Sequence, residues 1–351
     1  MQTVVVTGAG GYIASHVVQQ LLLRGDVKVR GTVRSTTDEA KVGFLKRLEG
    51  ASERLELFEA DLMKAGSFDT AIKDSDIVLH MASPFLLSDK IKDPQRDVID
   101  PALMGTRNVL EAVNRAPTVK RVVLTSSQMA VHGDFADRSE GCKGGHTFTE
   151  SDWNESSSIE HQPYGYSKTI AEREAWMMVG QQTRWQLVVI NPSFVLGPTL
   201  SGRNDSSSIS FMINYLDGTR KSGVPNLGLG IVDVRDVARA HIEAAFNPAA
   251  SGRYICCNKT MTMLQLANAL RDNYGKYPLP STQLPKFLIY LVGPILGGLS
   301  WKYISRNVGV PLILDNSKIR RELNIEFRDE NQTLNEMAAS VLEHKLVAER
   351  K

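Results

Sequence analysis

The sequence predicts a doubly wound, parallel α/β sheet with helices on both faces, plus a smaller, discontinuous, mostly helical C-terminal lobe. Three observations carry this. Up to about residue 190, short apolar runs alternate with helical patterns. The runs are rich in Val and Leu without polar alternation, as expected of strands covered on both faces, and strands separated by helices pair in parallel. Beyond 190 the texture changes to Gly- and Ser-rich loop and short helices.

The first strand is "TVVVT" (3–7), and a helix over 11–24 stops near Gly25. "VKVRGTV" (27–33) follows, then a helix over 38–48, "LELFEA" (55–60) and a short helix over 67–72. "DIVLHMA" (76–82) and "RVVLTSS" (121–127) flank a long helix over 95–115. The helix over 163–180 has Pro163 in its first turn and helix formers from Ala171 to Ala175, and "QLVVINP" (186–192) closes this part. The segment 197–210 reads as loop, and "LGIVDVRDVARAHIEAAF" (229–246) reads as a strand and helix returning to the sheet. After 250 short helices dominate, with a strand at "GRYICC". The expected division is a dinucleotide-binding domain over 1–192 and 229–248, and a substrate lobe over 193–228 and 249–351.

At 351 residues the chain can bury a substantial core, and its 42% apolar and 23% charged composition is that of an ordinary soluble protein. A net charge of +2 gives no electrostatic reason to expect a nucleic-acid or membrane-surface partner. Seven scattered histidines lack ligand spacing, so no metal site is expected. Three cysteines make no disulfide framework; Cys256 and Cys257 read as buried, reduced thiols. "FLIYLVGPILGGL" (287–299), broken by Pro294 and three glycines, is too short to span a bilayer and is expected to cover an apolar cavity. No basic and apolar leader opens the chain, and the expectation is a cytoplasmic monomer or homodimer with a small-molecule substrate.

"VTGAGGYIASHVV" sits at the turn from first strand to first helix. Gly8, Gly11 and Ala14 give the spacing Gly-x-x-Gly-x-x-Ala: a tight turn, room for a pyrophosphate to approach the backbone, and close helix–sheet packing. The amides of Gly10, Gly11, Tyr12 and Ile13 then face an anion at a helix start. An NAD site usually carries an acid at the end of the second strand, whereas this strand ends at Arg34, with Lys41 in reach. A guanidinium pairs with a 2′-phosphate that a carboxylate would repel, so the cofactor expected is NADP(H). Asp61, with Leu62 after it, is either an acceptor for the adenine amino group or a helix cap.

In "PYGYSKTIAEREAW" (163–176) two tyrosines precede a lysine. On a helix Tyr164 and Lys168 share a face, whereas Tyr166 lies about 200° around from Lys168. If the pair is chemical, Tyr164 is the partner. A Tyr-x-x-x-Lys match alone is common on helices.

Taken with "VRGTVRS", "EADL", "VLHMASP", "RVVLTSSQMAV", "YGYSK", "NPSFVLGP" and "DVRDVARAH", in this order over about 3–255, the chain resembles the extended short-chain dehydrogenase/reductase family. It is most similar to the branch of dihydroflavonol reductases, cinnamoyl-CoA reductases and yeast-type aldehyde and ketone reductases. The resemblance implies a Rossmann domain and makes Tyr164 the general acid, with Lys168 assisting and holding the nicotinamide ribose. It makes Ser127, or less favourably Ser126, the donor to the substrate carbonyl. Met81, Ala82, Ser83, Pro192 and Val195 would line the dinucleotide, or simply pack at strand ends. Phe85 and His132 fall where substrate contacts are expected, though His132 reads equally as a structural histidine. Met104 replaces an asparagine that many relatives use in a proton relay. The function implied is an NADPH-dependent carbonyl reductase acting on a hydrophobic aldehyde or ketone. The alternatives are alcohol or hydroxysteroid-type oxidation, nucleotide-sugar epimerase or dehydratase chemistry, and a non-catalytic dinucleotide sensor.

Overall fold

Val4, Val5 and Val6 have no exposed surface, which an uninterrupted apolar run requires of a strand buried on both faces. The computed structural model describes residues 1–83, 91–137, 146–296 and 298–350. In it, β1 (Gln2–Val6) and β2 (Val27–Val33) flank α1 (Tyr12–Arg24). Then come α2 (Glu39–Lys46), β3 (Leu55–Glu59), β4 (Ile77–His80), α3 (Asp100–Arg115) and β5 (Arg121–Thr125). The segment continues with α4 (Pro163–Val179) and β6 (Gln186–Pro192). The expected doubly wound sheet is borne out: every pairing in its core is parallel, and β3-β2-β1-β4-β5-β6 is the strand order of a Rossmann domain. The order reverses between β1 and β4, so the crevice for a ligand lies beyond their C-terminal ends.

Two strands depart from the sequence reading. The run at 229–233 does not return to the large sheet. As β8 (Gly228–Asp233) it joins β7 (Phe194–Leu196) and β10 (Lys259–Thr262) in a separate three-stranded sheet. Only the following helix, α5 (Val234–Phe246), packs back against α1 and the large sheet. It thereby becomes the crossover that lets β9 (Gly252–Cys256), expected in the second lobe, add in parallel beside β6.

Helix α1 ends as expected at Gly25, whose φ of +80° places it in the left-handed region that suits glycine. A second core gathers around Ile209, Met212, Tyr215, Leu266, Leu334 and Met337, between the small sheet and the C-terminal helices. Helix α6 (Lys286–Leu296) does not close over a cavity with its whole surface. Ile289 packs inward, whereas Phe287, Leu291 and Ile295 are 67%, 66% and 81% exposed. A helix that is apolar all round carries no sequence signal for which side faces in. Its neighbour α7 (Trp301–Asn307) meets it through Ile304. Among the described residues no helix is long and apolar enough to cross a membrane. Cys256 and Cys257 are buried, unbridged thiols, and burial pushes Cys257 up to about 11.

Candidate active site

The glycine turn is built for close approach. Gly8 has φ +66°, and a Cβ there would lie 3.0 Å from the Ala82 Cα, so strand ends β1 and β4 touch where a side chain would part them. Gly11 caps α1, and a Cβ on Gly10 would meet the Lys41 carbonyl at 3.3 Å. Tyr12 turns its ring away, donating its hydroxyl to the Gly197 carbonyl at 2.7 Å, and Ile13 packs on the first core. These two therefore offer only backbone amides to an anion. Thr7 pins the opposite wall: its Oγ1 accepts from the amides of Met81 and Ala82 at 3.0 and 2.9 Å.

Arg34 is exposed just past the end of β2 and pairs with no carboxylate among the described residues. Lys41 is held by Asp38 at 2.8 Å, and that ammonium draws the Asp38 carboxyl below its ordinary range. Asp61 is exposed and caps a turn, accepting from the Met63 amide at 2.8 Å with one carboxylate oxygen. Leu62 packs over Gly105 in α3. The cradle and its free guanidinium fit a 2′-phosphorylated dinucleotide; Gly10, Gly11, Tyr12, Ile13 and Arg34 would hold it.

Tyr164 emerges from the first turn of α4, half-buried, after Pro163 and beside Gly165, where the helix packs on the turn just past β5: a Cβ on Gly165 would lie 3.2 Å from the Met129 methyl. Ser127, just past β5, lies beside the Tyr164 phenol and accepts from the Met129 amide at 3.1 Å. Ser126 is committed elsewhere, donating to the buried Glu172 carboxylate at 2.5 Å. Of the two serines, only Ser127 meets the tyrosine. Lys168 lies one turn further along α4, 7% exposed, its Nζ 3.5 Å from the Thr125 carbonyl. Burial raises the Tyr164 phenol well above its ordinary value, partly opposed by Ser127. Burial also lowers the Lys168 ammonium to about 8, opposed by the Glu172 carboxylate.

A small polar cavity reaches from Ala82 and Ser83 to Lys168, His80 and Glu172. The Thr7 hydroxyl, already accepting twice, donates its one proton to His80 Nδ1 at 3.0 Å. The His80 proton therefore sits on Nε2, and burial followed by the Lys168 charge lowers the ring to about 3, keeping it neutral. Met104 is 43% exposed. Pro192 ends β6, and Val195 lies buried in the middle of β7 in the small sheet.

His132 is 1% exposed between the rings of Phe148 and Phe135, at 5.0 and 5.7 Å, with Nδ1 on the Gly133 carbonyl. Burial lowers it to about 4, and its surroundings are those of a core histidine. Phe85 lies outside the described residues.

Two supports are missing from the sequence reading. Glu172, one turn beyond Lys168, accepts from Arg253 Nε at 2.6 Å and Asn191 Nδ2 at 2.8 Å as well as from Ser126. Its spacing completes Tyr-x-x-x-Lys-x-x-x-Glu on one helix face, a signal that was readable. The second support, Asp134, accepts from Gln162, Arg306 and Asn307 and has no exposed surface, and nothing in its local sequence marks it.

Residues 4–257 match the model of the NAD dependent epimerase/dehydratase family. The chain belongs to that family. It is 42% identical to cinnamoyl-CoA reductase CAD2 of Medicago truncatula over 81% of this chain and 82% of that protein. It is 38% identical to tetraketide alpha-pyrone reductase 2 of Arabidopsis thaliana over 79% and 84%. The solved yeast methylglyoxal/isovaleraldehyde reductase Gre2, complexed with NADPH, superposes with a TM-score of 0.80 at 29% identity, covering 98% of this chain and 99% of that one. The resemblance to extended short-chain reductases is thus borne out, and the chain is an NAD(P)-dependent oxidoreductase of that type.

Proposed function

We propose that the protein is an NADPH-dependent reductase of hydrophobic aldehydes or ketones. The observation that carries this reading is Tyr164 beside Ser127 with the buried Lys168 one turn away, its Nζ 3.5 Å from the Thr125 carbonyl, in the cavity that reaches Ala82 and Ser83. The bound cofactor would supply hydride to the carbonyl carbon. Ser127 donates to the carbonyl oxygen, where negative charge develops, and Tyr164 delivers its proton there. Tyr164 is a phenol at neutral pH, as an ordinary tyrosine is, and burial moves its ionisation further up, so the site presents the proton that reduction requires. Lys168 supports the phenolate left behind and would hold the ribose hydroxyls. Arg34, exposed and unpaired at the end of β2, supports NADPH over NADH, as does Gre2. The relatives named for cinnamoyl-CoA and for a tetraketide pyrone support a carbonyl substrate of apolar character.

The test is loss of NADPH absorbance over aromatic, aliphatic and flavonoid-like carbonyls, with NADH in parallel. Turnover with NADPH is expected, falling about 10²–10⁴-fold in Tyr164→Phe while NADPH binding persists. Arg34→Ser should weaken NADPH about tenfold or more and leave NADH unchanged. A wild-type preference for NADH, or equal turnover by Tyr164→Phe, would overturn the reading.

A further inference from the structure

Three contacts strap the loop after β7 to the start of α1. The Tyr12 hydroxyl donates to the Gly197 carbonyl, His16 Nε2 lies 2.9 Å from the Pro198 carbonyl, and Arg203 Nη1 donates to the Gly10 carbonyl at 3.1 Å. A carbonyl only accepts, so His16 must carry its proton on Nε2. A segment that the sequence assigns to the substrate lobe is therefore fastened to the phosphate-binding turn of the other domain.

Arg203 is the chemically active member of this strap. A Cβ built on Gly10 would lie 3.5 Å from its guanidinium and 3.3 Å from the Lys41 carbonyl, so Arg203 stands at the corner where the glycine turn meets α2. Its side chain is 23% exposed, and its carboxylate partner, Asp205, is 60% exposed and two residues away in the same loop. Neither that carboxylate nor a single backbone carbonyl uses the planar, multi-donor face of a guanidinium fully. A phosphate accepts bidentately and would take it from both. We infer that Arg203 is a phosphate-binding cation for the adenosine half of the dinucleotide, and that it couples cofactor binding to the 197–206 loop of the substrate lobe. The inference rests on the NADPH reading above. Two phosphate sources share this chemistry, the diphosphate and the 2′-phosphate.

The experiment measures binding without turnover: fluorescence titration of NADPH and of NADH into the full chain, as wild type, Arg203→Gln, Arg203→Lys and Asp205→Asn. Arg203→Gln is expected to weaken NADPH tenfold or more, with Arg203→Lys recovering part of the loss. Asp205→Asn, which removes the competing carboxylate, should bind NADPH at least as tightly as wild type. An equal loss for NADH would assign the diphosphate; a loss confined to NADPH would assign the 2′-phosphate. Hydrogen exchange reads the coupling: NADP⁺ should slow exchange of amides 199–206 in wild type and not in Arg203→Gln. NADPH binding by Arg203→Gln within twofold of wild type overturns the inference, as does loop exchange that NADP⁺ leaves unchanged. Wild-type protein that binds neither dinucleotide would instead bring down the NADPH reading, and this inference with it.

Discussion

Arg253 and Glu172 meet at 2.6 Å inside the protein, 7% and 0% exposed, and join the edge strand β9 to the helix that carries Tyr164 and Lys168. Arg253 also donates to the carbonyls of Ala130, Glu150 and Asp152 and lies over the Trp153 ring at 3.9 Å. Each charge is thus solvated by the protein itself. Removing one partner strands the other, which costs about 3–5 kcal/mol for a buried pair. Glu172→Gln and Arg253→Met should each lower stability by that order. The double variant should lose less than the sum of the two. Urea unfolding of the four proteins in a double-mutant cycle measures this, and additive losses would show that the pair contributes no coupling.

Lys168 carries a cost that pH can reveal. Burial lowers its folded-state value to about 8 from an ordinary 10.5, with Glu172 opposing. Below pH 8 both folded and unfolded chains hold the proton, and the folded state bears the buried charge. Between about 8 and 10.5 the unfolded chain holds more protons, so this group's contribution to stability rises with pH across that window. Lys168→Met should therefore be inactive yet more stable than wild type at pH 7, by about 1–3 kcal/mol. The gap should narrow as pH rises from 8. Thermal unfolding at pH 7 and at pH 9.5 checks both parts, and a destabilised variant at pH 7 would contradict them.

Gly8 makes a sharper demand on its residue type than Gly10 or Gly11 in the same glycine turn. Its φ of +66° and the 3.0 Å approach of Ala82 combine strain with overlap. Gly8→Ala should cost about 1–3 kcal/mol in stability. It should also part the ends of β1 and β4, weakening dinucleotide binding at least tenfold. Gly25→Ala is the control: its φ is also positive, at +80°, but nothing lies within 4 Å of a Cβ there. It should lower stability and leave cofactor binding unchanged in the same titration.

The strands of the large sheet are legible because an unbroken Val and Leu run has one use in a soluble chain, and the glycine turn because its spacing follows from geometry. Which sheet a strand joins is not written in its pattern. "LGIVDV" and "GRYICC" both read as strands, and only packing sends the first to the small sheet and the second to the large one. Helix α6 shows the same limit, since uniform apolarity does not say that Leu291 faces out and Ile289 in. The Tyr164–Lys168 pair is legible from its spacing of four. Ser127 over Ser126 follows from the family resemblance, and the structure adds the physical reason: adjacent residues leaving a strand point apart, and Ser126 is spent on Glu172. Arg203 lies 193 residues from Gly10, and no periodicity connects a loop side chain to a carbonyl at that distance.

Asp134 ties the turn before Tyr164 to a distant helix. Its buried carboxylate accepts from Gln162 Nε2 at 2.7 Å, immediately before α4, and from Arg306 Nε and Asn307 Nδ2 at 2.7 and 2.8 Å in α7. Gln162 holds a φ of +56°, a left-handed conformation that costs a non-glycine residue about 1–2 kcal/mol and persists where surrounding bonds hold it. The carboxylate thus fixes the turn from which Tyr164 departs and docks α7 beside it. Asp134→Asn keeps the shape but turns two acceptor oxygens into one and sets an NH₂ among donors. The expected loss is about 3–5 kcal/mol of stability. Arg306→Ala, which leaves the Gln162 contact in place, should cost less. If Asp134 positions the tyrosine, kcat should fall in Asp134→Asn well below 25 °C, where the variant is still folded, with the KM for NADPH unchanged. A kcat equal to that of wild type under those conditions would leave Asp134 a purely structural anchor of α7.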